Sequence, residues 1–143
     1  MEVEIFTLAD HAADYGNGKL VIAGTFDNIF VANFPAVHPM CSVAVRIRLA
    51  NSEAGRHKFE IRALDSKGRK FQDPFGGEFE VQPNPNADHS TLNIVWSLAN
   101  TKFDSPGKFA FEFHFDNEFR TGLTLTVVKY VPPQNSSTEV QQN

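Results

Sequence analysis

Residues 108–116 alternate strictly, with Phe109, Phe111, Phe113 and Phe115 at every second position and Lys108, Ala110, Glu112 and His114 between them. Side chains on a β-strand point to opposite faces in turn, so this segment predicts a strand with one dry and one wet face. On a helix the same four rings would scatter around the axis. The pattern recurs along the chain. Residues 3–8 predict a first strand, followed by a polar loop over 10–19. Residues 20–25, apolar on both sides, predict an interior strand. The connection 28–40 carries Pro35 and Pro39, which oppose both helix and interior strand. Val43, Val45, Ile47 and Leu49 then face inward while Ser42, Ala44, Arg46 and Arg48 face out. After a turn over 51–55, Phe59, Ile61 and Ala63 face in, with Lys58, Glu60 and Arg62 outside. A further turn covers 65–68. Phe79 and Val81 alternate with Glu78, Glu80 and Gln82, and a loop spans 83–90. Leu92, Ile94, Trp96 and Leu98 form one apolar face, and Leu123, Leu125 and Val127 mark a last strand.

Seven or eight short strands with turn signals between them, and no helix, predict an all-β domain. The expected architecture is a two-layer antiparallel β-sandwich, immunoglobulin-like in the broad sense, with a jelly roll or another eight-stranded sandwich as the alternative. Residues 1–131 read as one domain and residues 132–143 as a disordered polar tail. A chain of 143 residues can bury a self-sufficient core. Its fourteen phenylalanines dominate that core, each contributing roughly 1.5–3 kcal/mol when buried. Cys41 is the only cysteine, so no intrachain disulfide can form. The opening residues lack the features of a secretory signal, and no apolar run approaches the ~20 residues of a membrane span. The expectation is a cytoplasmic protein with no membrane contact.

Candidate chemistry is thin. Asp88-His89-Ser90 spells a triad in a row, but neighbours on an extended chain point apart and cannot relay a proton. A solvated loop entering a strand is the better reading. His38 and Cys41 have a metal-like spacing without the second pair that structural zinc needs. Asp10, Asp14 and Asp27 lie in or beside loops that could converge on calcium, yet turn hydrogen bonds explain them more simply. Glu78 and Glu80 sit on a wet strand face, lacking the desolvated cleft of a glycosidase pair. Gly76-Gly77 has neither a phosphate-binding lysine nor a following helix. The sequence assigns no catalytic residue, no metal ligand and no cofactor.

Charge is more informative. Between Arg46 and Lys70 lie eight basic residues and three acidic ones, a local +5, so the rest must carry −9 to give the chain's −4. If the strands bearing Arg46 and Arg48 and those bearing Lys58 and Arg62 form a hairpin, all four cations share one exposed face. That face would suit an acidic partner. The plainer reading has Glu78, Glu80 or Glu112 pairing across strands with these cations. The acidic pI of about 5.7 and the lack of interleaved aromatics argue against nucleic acid. A second candidate surface is the 28–40 connection, where Phe30, Val31, Phe34 and Val37 could bind a partner or plug the sandwich. Phe71 and Phe75 pose the same choice. Glycan binding has little support, because Trp96 falls in the inward register.

Three stretches resemble a family of small bacterial proteins known only as a domain of unknown function. They are residues 3–10, residues 18–29 and residues 34–39. Gly24-Thr25-Phe26-Asp27 and Phe34-Pro35-Ala36-Val37-His38-Pro39 are the most specific. The resemblance runs from the first residue to the last strand. It implies a bacterial, cytosolic, all-β protein and supplies no catalytic residues.

The combined expectation is a non-catalytic protein-binding or assembly module whose partner is another protein or a second copy. Arg46, Arg48, Lys58 and Arg62 form its first candidate surface; Phe30 and Phe34 form its second. An edge strand could also recruit a partner by strand addition. Two alternatives remain open. One is a hydrolase or metal-dependent enzyme assembled from Asp10, His11, Asp27 and His38. The other is a structural subunit of a bacterial or phage assembly, marked by an apolar self-contact.

Overall fold

A computed structural model describes residues 1–133 of the chain, so most of the tail expected over 132–143 lies outside the described residues. Nine strands follow in order: β1 (Glu2–Gly16), β2 (Lys19–Thr25), β3 (Asn28–Val31), β4 (Ala36–Ala50), β5 (Gly55–Leu64), β6 (Lys70–Val81), β7 (His89–Phe103), β8 (Gly107–Phe115) and β9 (Glu118–Lys129). One sheet has the order β2-β1-β4-β7 and the other β3-β9-β8-β5-β6. The expected sandwich is present, with nine strands where seven or eight were predicted. Every neighbouring pair is antiparallel except β3 and β9, which run parallel. No helix among the described residues is long and apolar enough to cross a membrane.

The two sheets meet through the predicted inward faces. Val43, Val45, Ile47 and Leu49 of β4 and Trp96 and Leu98 of β7 oppose Phe111 and Phe113 of β8 and Leu125 and Val127 of β9. Rings interlock across the gap: Trp96 meets Phe111 edge-on at 6.0 Å, and Phe6 meets Phe113 at 6.1 Å. Aromatic pairs in such geometries add about 0.5–1.5 kcal/mol beyond the area they bury.

Four segments depart from the sequence reading. Residues 10–19 are not a loop but the two arms and turn of the β1–β2 hairpin, and β2 is an edge strand, not an interior one. β1 pairs with β4 up to Ala9 and with β2 from Ala9 onward. At the changeover Gly24 stands opposite Asp10 with φ +76°, and a Cβ there would lie 2.6 Å from Asp10 Oδ2. Glycine takes that backbone without strain and leaves room for the Asp10 carboxyl. Beyond the bend the hairpin lies over the outer face of its own sheet. Arg46 Nη1 donates to the Gly18 carbonyl at 2.7 Å, and β1 touches β7 without pairing with it. The outward-facing Ser42 and Ala44 are buried. Leu20 and Ile22 of β2 are half-buried, whereas Val21, Ala23 and Thr25 on its other side stay exposed.

The proline-bearing connection supplies β3 and the start of β4. Pro39 is tolerated because β1 has already left β4 at Ser42, so that stretch of β4 is paired only with β7. β6 begins at Lys70 and runs through Pro74, which an edge strand with shifted register accommodates. Phe71 and Phe75, predicted on loops, therefore point into the core. Phe71 packs on Phe103, Phe109 and Phe111, and Phe75 stacks on Trp96 at 5.8 Å.

Phe111 is 1% exposed, so Phe111→Ala is expected to cost about 3–5 kcal/mol through the cavity it leaves. Urea unfolding measures this; a cost below about 1 kcal/mol would mean that the ring does not sit between the sheets.

Candidate functional site

The four cations of the predicted basic face do not share a face. β4 and β5 are consecutive, but a single 3-10 turn, Asn51–Glu53, carries the chain from one sheet to the other. Each strand turns its apolar side to the common core. Arg46 and Arg48 therefore project from one side of the sandwich, and Lys58 and Arg62 from the opposite side.

On the first side Arg46 and Arg48 converge on Glu4, at 3.1 Å and 2.9 Å. A register shift between Val3 and Ile5 turns Glu4 outward to meet them. Arg48 and then Arg46 hold the Glu4 carboxyl below the usual carboxylate range. Arg46 also donates to Asn93 Oδ1 at 3.3 Å and to the hairpin tip at Gly18. The partner is thus Glu4, not the Glu78, Glu80 or Glu112 suggested by strand proximity. Arg46 is committed to clasping the folded-over hairpin.

On the second side Arg62 pairs with Glu60, and Arg56 with Glu78 at 3.3 Å. Lys58, Arg62, Glu60, Glu78 and His114 surround a shallow groove of about 420 Å³ floored by Gly76 and Gly77. The floor is bare for a reason: a Cβ on Gly76 would lie 2.6 Å from the Phe59 carbonyl oxygen. Charges of both signs alternate around the groove, so it presents no single-sign field.

The second predicted surface also divides. Phe30 is 63% exposed, whereas Phe34 is half-buried against the core. The residues of the enzyme alternative do not gather into one site: His11 is exposed, and the buried His38 Nε2 has no hydrogen-bond partner among the described residues. Asp10 packs over Gly24, Asp27 accepts from Asn28 Nδ2 at 2.7 Å, and His38 lies against Phe26. Burial, and then the nearby Asp10, push the Cys41 thiol up to about 11, which makes it a poor nucleophile. Asp14 accepts from the Gly16 amide. Among the described residues no three His, Cys, Asp or Glu side chains gather where they could hold a metal ion. Asp88 and His89 do touch, at 2.7 Å, contrary to the sequence argument. Asp88 precedes the strand, so the strict alternation does not reach it. Ser90 nevertheless donates to the Gln82 carbonyl and stands outside any relay.

A feature that the sequence could not locate is the open edge of β7. This strand pairs with β4 over its whole length and, among the described residues, with no other strand. Its fifteen residues include no Pro, Gly, Asp or Glu, and its one Lys is Lys102. Beside its start, Leu49, Phe79, Val81 and Leu92 line a groove of about 270 Å³ between the two sheets. The charge alternation that marks most strands here is missing from β7. That was the available signal, but strand order was needed to read it.

Residues 4–128 match the model of a family of unknown function, DUF6941. The chain belongs to this family. No curated protein sequence matches it. Among solved structures, the alkylpurine DNA glycosylase AlkC of Pseudomonas fluorescens, bound to DNA containing an abasic site analog, resembles it with a TM-score of 0.50 at 9% identity. The match covers 88% of this chain and 30% of that one, so the DUF6941 chain spans less than a third of the enzyme's length. A glycosyl hydrolase family 2 member from Bacteroides cellulosilyticus matches at 13% identity and a TM-score of 0.41, over 66% of this chain and 13% of that one. At these identities the first likeness is one of fold, and the second carries no weight.

One polar cluster of the DUF6941 domain is structural. His57 Nδ1 lies 2.7 Å from Asp116 Oδ2, and Nε2 lies 2.6 Å from the Glu53 carbonyl oxygen. With an acceptor at each nitrogen, only the imidazolium can donate to both. The Glu53 carbonyl, and then Asp116, raise the His57 pKa above its ordinary 6.5. Because the folded-state value is the higher one, the stabilisation is complete below about pH 6.5 and is lost as pH climbs through the raised value. The urea midpoint is expected to fall over that window in the native protein and to stay flat in His57→Gln. Equal slopes in both would show that His57 does not carry the effect.

Proposed function

We propose that this domain is a non-catalytic binding or assembly module that works by accepting an added strand along the open edge of β7. The supporting observation is the contrast between that edge and the others. Natural sheets blunt their edges with prolines, bulges, charges or short strands. β6 has Pro74, shifted register and the charges Lys70, Asp73, Glu78 and Glu80. β3 has only four residues, and β2 has seven and is broken by Gly24 at φ +76°. β7 has none of these guards between Ser90 and Ala99, beyond which Asn100 with φ +54° breaks the extended backbone. Unpaired backbone amides and carbonyls along such an edge offer main-chain hydrogen bonds to an incoming strand. The groove of Leu49, Phe79, Val81 and Leu92 would receive one of that strand's apolar side chains.

The incoming strand belongs to another protein or to a second copy. Antiparallel pairing of β7 with β7 of a copy would oppose no like charges from Ser90 to Thr101, so the structural-subunit reading rests on the same edge. A bacterial, cytoplasmic setting is part of this reading. It is supported by the resemblance of the chain's motifs to a bacterial family and by reliance on a core without disulfides.

Sedimentation velocity across a wide concentration range, with affinity capture in parallel, tests the proposal. The native domain is expected to self-associate or to retain a strand-donating partner. Ser97→Lys/Ala99→Lys, at two exposed β7 positions, is expected to do neither while staying folded, with a loss of about 1–3 kcal/mol because the buried Ser42 hydroxyl gives up its Ser97 partner. Association unchanged in that variant, or none in the native protein, would refute strand addition at β7.

A further inference from the structure

A second site lies at the end of the sandwich, where the β5–β6 and β7–β8 connections face each other. Lys67, Arg69 and Lys70 come from the first connection, and Lys102 and Lys108 flank the second. Together they ring a crevice of about 540 Å³. The sequence had assigned Lys67, Arg69 and Lys70 to the same basic stretch as Arg46. The fold separates them from it and gives them Lys102 and Lys108, from a different part of the chain.

We propose that this crevice recognises a short acidic segment of a partner protein, one in which carboxylates flank an apolar side chain. Five cations and two carboxylates, Asp65 and Asp104, line it, a net +3. The chain's −4 therefore leaves −7 for everything else. Three of the five cations already have a carboxylate partner at an exposed position, which leaves Lys67 and Lys108 to meet a ligand. Asp65 Oδ1 is taken up by the amides of Arg69 and Lys67, both at 2.9 Å, and its Oδ2 meets Arg69 Nε. Asp104 pairs with Lys102 Nζ at 3.6 Å, and both side chains are exposed. Lys70 is held by Asp73, just outside the lining. Among the described residues neither Lys67 nor Lys108 pairs with a carboxylate.

Beneath this rim the floor is apolar and fixed. Phe103 meets Phe109 at 4.9 Å, and Phe71 meets Phe103 at 5.5 Å and Phe109 at 5.0 Å. A floor already locked by ring packing needs no ordering on binding, which favours affinity. Lysines suit this ligand, because compact ammonium charges on flexible stems can follow carboxylates in several directions. A long polyanion such as nucleic acid would have to run past a surface that is otherwise net negative. A segment of a few residues stays within the crevice.

The probe is a fluorescein-labelled decapeptide of Asp and Glu around a central Leu, read by fluorescence anisotropy against the full chain. Saturable binding is expected, weakened by added salt and lowered about tenfold or more by Lys67→Glu/Lys108→Glu. Lys67→Ala/Lys108→Ala is expected to give a smaller loss in the same direction. Because all four replacements are at exposed positions, unchanged thermal melts serve as the folding control. The Ser97→Lys/Ala99→Lys variant should bind the peptide like the native chain, which separates this site from the β7 edge. No binding, or equal affinity in the charge-reversed variant, would overturn the proposal. Tighter binding of a single-stranded oligonucleotide of equal length would overturn it in favour of nucleic acid.

Discussion

The fold depends on one row of rings. Phe109, Phe111, Phe113 and Phe115 occupy the inward side of β8, and the opposing sheet meets them with Trp96, Phe6 and the β4 aliphatics. Once that row must be covered, the rest of the arrangement is constrained. β5 and β9 take the places beside β8 because their own apolar sides must join the same surface. β4 carries the longest apolar side of the other layer and becomes the strand between β1 and β7. The chain then has to change sheets between β4 and β5, which it does in one short turn.

That change of sheet redistributes the charges. Arg46 and Arg48 become part of a clasp with Glu4 and Gly18 that holds the β1–β2 hairpin across its own sheet. The bend at Gly24 makes this clasp possible, and it covers an outer face that would otherwise expose Ala44. The β2 edge is only seven residues long and is broken by Gly24 at φ +76°. Proline and register shifts protect β6, and brevity protects β3. β7 is left as the long edge without protection. The same topology draws cations from two loops into one crevice at the end of the sandwich, so both interaction surfaces follow from strand order.

Local pattern made much of this legible. The four β8 phenylalanines, the inward residues of β4 and β7 and the outward residues of β5 all lie where alternation places them. Alternation describes one strand at a time, and its failures mark where a second strand decides the outcome. Residues 10–19 look like a loop because this stretch of the hairpin is polar and mostly exposed, with no continuous dry face. Residues 28–40 look like a loop because of Pro39, although Pro39 sits where β4 has lost a neighbour. The basic hairpin failed for the same cause: two adjacent strands with complementary apolar sides can pair or can face each other, and periodicity is identical in both cases. Glu4 was invisible as a partner because only a register shift turns it outward.

Residue-resolved amide hydrogen exchange of the DUF6941 domain at low concentration addresses the open edge most directly. Along residues 91–99 alternation is expected, with amides directed at β4 protected and those directed away exchanging rapidly. The rapid set should become protected when a partner strand or a second copy is added. Uniform protection of β7 in the dilute, isolated domain would contradict the account, because it would mean that the edge is already closed within the monomer.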